Sequence, residues 1–88
     1  MANKRSLKRS ITFVCEELLV ESIAISHYGH NTDNAKALIF SIIKMEDDFI
    51  RRVSHPEPGM PARLYFKDLR EKFVAQASEI IDQINNNN

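Results

Sequence analysis

Residues 62–84 read ARLYFKDLREKFVAQASEIIDQI. Ala62, Phe66, Leu69, Phe73, Ala77, Ile80 and Ile84 recur at spacings of three and four, which lines them along one side of a helix turning about 100° per residue. Lys67, Asp68, Glu71, Lys72, Glu79 and Asp82 fall mostly on the other side. A helix of this kind must cover its apolar stripe with partners, so this segment predicts helical packing for the chain around it. Pro61 suits the first turn of such a helix, where a missing N–H costs no intrahelical bond.

Two more periodic segments precede it. Over residues 6–28, Leu7, Ile11, Val14, Leu18 and Ile25 mark one face, widened by Cys15 and Leu19. Over residues 33–53, Ala35, Ile39, Ile42, Phe49 and Val53 share a face flanked by Leu38, Ile43, Met45 and Ile50. The punctuation fits. Gly29 can take the left-handed conformation that closes a helix, and Thr32 is a good N-cap with Asp33 in the first turn behind it. Arg51 and Arg52 suit the negative end of the second helix, and Pro56 disfavours helical geometry at His55. No segment alternates with period two, which argues against strands. The expectation is an all-α fold: three long antiparallel helices, about 6–28, 33–53 and 61–84, in a self-associating up-down-up bundle. Residues 1–88 form one helical domain in this reading, with a frayed basic N-terminus and a frayed Asn-rich end at 85–88.

Composition narrows the function classes. Eighty-eight residues leave no room for a second core, and 43% hydrophobic with 27% charged residues is ordinary for a folded domain. Twelve basic against twelve acidic residues give no bulk attraction to nucleic acid or to an acidic membrane. No apolar run approaches the roughly 18 residues of a membrane span, and Glu16 and Glu17 interrupt any signal-peptide-like stretch. Cys15 is the only cysteine, so no internal disulfide forms. Its apolar neighbours predict a small buried residue, and Glu16 and Glu17 oppose thiolate activation. The expected setting is the cytoplasm.

No constellation nominates an enzyme, a metal or a cofactor. His27 and His30 lie at the end of the first helix while His55 follows the second, so an up-down-up bundle puts them at opposite ends, about 30 Å apart. His27, His30 and Asp33 could still approach one another, but Gly29 breaks the helical register between the histidines. Glu16–Glu17 and Asp47–Asp48 are adjacent in sequence and splay apart around their helices, unlike an acid–base dyad. Glu46 falls near the apolar face of the second helix and level with Cys15 and Arg70. Either it forms a partly buried ion pair with Arg70, or it sits at the helix edge and reaches water. As a catalytic carboxylate it would lack a second acid or base beside it.

Two features point to partners. Phe13 and Val20, seven residues apart, lie opposite the first helix's main face, and Ile23 and Ala24 broaden this second stripe. A helix apolar on two sides is surrounded by others or buried against another molecule; Phe40 repeats the hint on the second helix. Simple exposure of Phe13 and Val20 is the plainer alternative. The other feature is Lys4, Arg5, Lys8 and Arg9, four cations in the first ten residues with no acid among them. They could contact nucleic-acid phosphates, although no aromatic residue accompanies them and the rest of the chain is net negative.

The segments SHPEPGM at 54–60, KDL at 67–69 and EIIDQI at 79–84 resemble a family of small uncharacterised bacterial all-helical proteins with no established function. The resemblance implies a bacterial cytosolic origin and transfers no functional residue. Pro56, Pro58 and Pro61 make the 54–60 loop stiff, fit either to present binding groups or simply to reverse the chain. The function expected from the residues is a non-enzymatic helical protein–protein interaction module, a homodimer or a subunit that packs on a partner helix. The alternative is a nucleic-acid-associated accessory protein using the basic arm.

Overall fold

The computed structural model describes residues 3–28 and 32–86, and among them the chain is all-α. Helix α1 spans Lys4–Tyr28, α2 spans Thr32–Ser54 and α3 spans Ala62–Asn86. Gly29, His30 and the side chain of Thr32 lie outside what is described, as do the last two asparagines.

Local chemistry sets the boundaries. Asn3 caps α1: its side-chain Oδ1 accepts the Ser6 N–H at 2.7 Å and its carbonyl accepts the Leu7 N–H at 2.9 Å. The helix therefore begins about two residues before the expected start, and Lys4 and Arg5 are helical instead of frayed. Helix α2 ends as its last donors are used. The His55 N–H reaches the Arg51 carbonyl at 3.0 Å and the Ser54 hydroxyl donates to the Ile50 carbonyl at 3.1 Å. Pro56 has no N–H to continue the ladder. The Pro61 carbonyl accepts the Tyr65 N–H at 3.0 Å, so this proline stands just ahead of α3, which starts at Ala62. At the other end α3 runs through Asn85 and Asn86, past the last apolar residue of its stripe.

One core unites the three helices. From α1 it takes Leu7, Ile11, Cys15, Leu18, Ser22 and Ile25. From α2 come Ala35, Leu38, Ile42, Met45, Phe49 and Val53, and from α3 Leu69, Phe73, Ala77, Ile80 and Ile84. The steps of three and four along each stripe are those of side chains meshing between nearly aligned helices. Neighbouring ends show the chain directions of α2 and α3. The Tyr65 hydroxyl, near the start of α3, donates to the carbonyl of Arg52, near the end of α2, at 2.9 Å. Phe49 and Phe73 meet edge to face at 5.3 Å, and Leu38 and Ser41 share a depression with Gln83 and Asn86. These two helices run antiparallel. The molecule is slender, 46 Å long and 19 by 18 Å across.

The closest packing joins α1 to α2. Cys15 and Ser22, both wholly buried on α1, and Ala35, wholly buried on α2, are small enough to let the two backbones approach. Large side chains, Phe73 above all, hold α3 further off. This corrects the expected faces. On α2 the buried stripe turns toward Leu38 and Met45, leaving Ile39 half-buried and Ile43 exposed. On α1 the stripe turns toward Cys15 and Ser22, leaving Val14 half-buried.

Candidate interaction surface

The rotation of α2 decides where Glu46 lies. It is half-buried at the α1 side of the α2 stripe, close enough for its charge to act on Cys15. The Cys15 thiol is pushed up to about 11, mainly by burial and secondarily by the Glu46 carboxylate, so it stays a protonated thiol at neutral pH. Arg70 is exposed on the opposite margin, in the α1–α3 groove with Ser6, Leu7, Ser10, Ile11 and Val14. The structure does not bring Glu46 and Arg70 together. Among the described residues the ion pairs are Asp47–Arg51 at 2.9 Å, Asp48–Arg52 at 3.1 Å and Asp68–Lys72 at 3.0 Å, all between residues four apart. The expected pair assumed that Glu46 points at α3. The core stripe of α2, centred one residue earlier, turns it to α1.

The stiff 54–60 segment forms one wall of an open depression of about 320 Å³, with Arg52, His55, Tyr65, Asp68 and Lys72 around it. Several of its polar groups are engaged with neighbouring residues. Arg52 pairs with Asp48 and lies 5.0 Å over the Phe49 ring, Tyr65 donates to the Arg52 carbonyl, and Lys72 holds Asp68. This arrangement reverses and braces the chain between α2 and α3. His27 is exposed at the far end of α1, His55 is exposed just after α2, and His30 lies outside the described residues. Among the described residues no three histidine, cysteine or acidic side chains cluster as metal ligands.

The apolar surface is the more distinctive feature. Phe13 is 62% exposed and Val20 64%, both on the side of α1 that faces away from the core, with the small Ala24 exposed beside them. Ile23, 45% exposed, belongs to a different edge. Helix α3 meets α1 through the side that carries Ser10 and Val14, and meets α2 through the side that carries Ala37 and Ser41. The opposite edges of α1 and α2 form a seam that α3 leaves open. By helical position Leu19 and Ile23 flank it on α1, and Ile39, Ile43 and Ile50 flank it on α2. Ile43 is 53% exposed there. Sequence spacing predicts the Phe13–Val20 stripe. It does not predict the seam, because a two-helix surface depends on how each helix is rotated.

Lys4, Arg5 and Arg9 are exposed and Lys8 is half-buried, all within the first turns of α1, which hold no acid in the opening turn. No helix is long and apolar enough to cross a membrane among the described residues. No protein-family model, curated protein or solved structure matches this chain. The fold defines a small all-helical protein with three helices and several exposed apolar side chains. The family resemblance noted in residues 54–60, 67–69 and 79–84 goes no further than that class.

Proposed function

We propose that this protein is a non-enzymatic helical interaction module that self-associates, with a homodimer as the favoured form. The observation that carries the proposal is the surface of α1. Phe13 and Val20 stand more than half exposed on the side away from the core, and Ile23 and Ile43 are exposed separately along the edge between α1 and α2. Exposed apolar side chains scattered singly need no explanation, but Phe13 and Val20 stand two turns apart on one helix face, which favours a contact surface. Burying a large aliphatic or aromatic side chain that is otherwise exposed is worth about 1.5–3 kcal/mol, so a few such residues supply a useful association energy. A bacterial cytoplasm is the proposed setting, where the buried thiol of Cys15 needs no partner.

Sedimentation equilibrium of the full chain from micromolar to millimolar concentration tests the proposal. A dimer that a Phe13→Ser/Val20→Ser variant loses, while keeping its helical circular dichroism, is the expected result. A strictly monomeric chain over that range would refute it. The competing reading is nucleic-acid contact through Lys4, Arg5, Lys8 and Arg9. It rests on four cations gathered at one end of α1, and predicts duplex binding that weakens steeply with salt.

A further inference from the structure

The charges of α1 are sorted by sign along its length. Lys4, Arg5, Lys8 and Arg9 occupy the first third, and Glu16, Glu17 and Glu21 follow in the middle. No acid lies three or four residues from any of these cations, so the helix cannot pair them internally. Nor do its neighbours. Among the described residues every ion pair is within α2 or within α3, and none of these seven side chains takes part in one. Helices α2 and α3 each hold ion pairs at four-residue spacing, although Arg63, Arg70, Glu79 and Asp82 of α3 have no opposite charge three or four residues away; among the described residues α1 holds no ion pair and leaves a positive block and a negative block beside its exposed apolar stripe.

We infer that the occupant of the outer face of α1 is a second copy of the same helix running antiparallel, with Phe13 at the two-fold axis and Arg9 of each chain opposite Glu16 of the other. This inference rests on the self-association proposed above and specifies its geometry. A parallel pairing sets four cations against four and three carboxylates against three, which like-charge repulsion opposes. An antiparallel pairing sets the basic block against the acidic block, twice by symmetry. Arg9 and Glu16 stand seven residues apart on the same flank of the Phe13–Val20 stripe. In an antiparallel pair, residues on matching flanks face each other, so an axis near Phe13 aligns these two. The alternative antiparallel register, which stacks Phe13 on Val20 of the other chain, crowds the Glu16 and Glu17 carboxylates of both chains at the axis. The favoured register overlaps α1 over about 27 Å.

Charge reversal and disulfide trapping together test this arrangement on the full chain. Arg9→Glu and Glu16→Arg should each weaken dimerisation on the order of tenfold, and the double variant should restore it. Dimerisation of the unaltered chain should weaken as salt is raised. Ser6→Cys chains mixed with Val20→Cys chains should form a mixed disulfide under mild oxidation, because the two positions come level across the axis. The native Cys15, wholly buried, does not compete. If the unaltered chain dimerises but neither reversal matters, or if Ser6→Cys chains link to one another, the antiparallel arrangement is overturned while self-association stands. If the unaltered chain is monomeric throughout, both readings fall. If Arg9→Glu abolishes binding to a DNA duplex and leaves dimerisation unchanged, the partner of the basic block is nucleic acid and this inference is overturned.

Discussion

Helices α1 and α3 have the same length, 25 residues, and bury similar stripes, yet their outer charges are ordered differently. Helix α3 keeps its buried side chains on one face and mixes acid with base on the other, with Asp68 and Lys72 paired at 3.0 Å. Both helices also expose apolar side chains, Phe13, Val20 and Ile23 on α1 and Leu64, Val74 and Ile81 on α3, but α1 separates its charges into blocks. The inner faces differ too. Small residues on α1 admit α2 closely, whereas α3 meets the core through larger side chains such as Phe73. The charge blocks of α1 beside Phe13 and Val20 are what the proposed antiparallel pairing rests on.

The sharpest way to break this comparison is to remove one phenylalanine from each helix. Phe73→Ala empties a packed site beside Phe49 and should cost about 3–5 kcal/mol in urea unfolding. Phe13→Ala should change the stability of the dilute chain by less than about 0.5 kcal/mol. If Phe13→Ala cost as much as Phe73→Ala, the outer stripe of α1 would be core and not interface.

The close α1–α2 contact is tested at Ser22. Its hydroxyl is buried with no hydrogen-bond partner among the described residues, so its small size is what the packing uses. Ser22→Leu should destabilise by about 1–3 kcal/mol through overpacking, while Ser22→Ala should be neutral or stabilise by about 1 kcal/mol. A tolerated leucine would mean that α1 and α2 do not approach as closely as their small residues allow.

Cys15 gives the same contact a pH signature. Its thiol titrates near 11 in the folded chain against an ordinary 9.0, so the unfolded chain loses its proton first as pH rises. The stabilisation is complete below about pH 9 and is lost progressively between 9 and 11. Comparing denaturant midpoints of the unaltered chain and of Cys15→Ala over that range should show a steeper alkaline fall in the former. Parallel curves would mean that Cys15 is not desolvated.

The smallest effects lie at the helix surfaces. Asn3→Ala removes the cap of α1 and should cost about 1 kcal/mol. Asp68→Asn breaks an exposed pair within α3 and should cost only roughly 0.3 kcal/mol. Equal losses would show that the start of α1 contributes no more to stability than a surface ion pair.

Much of this architecture is legible in the order of residues. The α3 stripe from Leu69 to Ile84 is buried as its spacing predicts, and Phe13 and Val20 are exposed on the outer side of α1 as theirs predicts. Asn3 carries a signal that the expected start at residue 6 overlooks. Asparagine just ahead of a helical run is a cap, but the four cations behind it resemble a frayed arm. Glu46 is harder to place, because an apolar arc as broad as that of α2, from Met45 round to Ile43, lets several stripes be drawn through one helix.

The sequence by itself determined the number of helices, their approximate ends and the buried stripe of α3 from Leu69 to Ile84, since these depend on periodicity, prolines and caps within a few turns of chain. Only the tertiary structure decided how far each helix is rotated about its axis. That rotation follows from packing Cys15, Ser22 and Ala35 closely between α1 and α2 and placing the bulk of Phe49 and Phe73 between α2 and α3. It turns Glu46 toward Cys15, parts it from Arg70, and opens the seam beside Ile23 and Ile43. Volume matching between distant segments sets it, and no local pattern encodes that match.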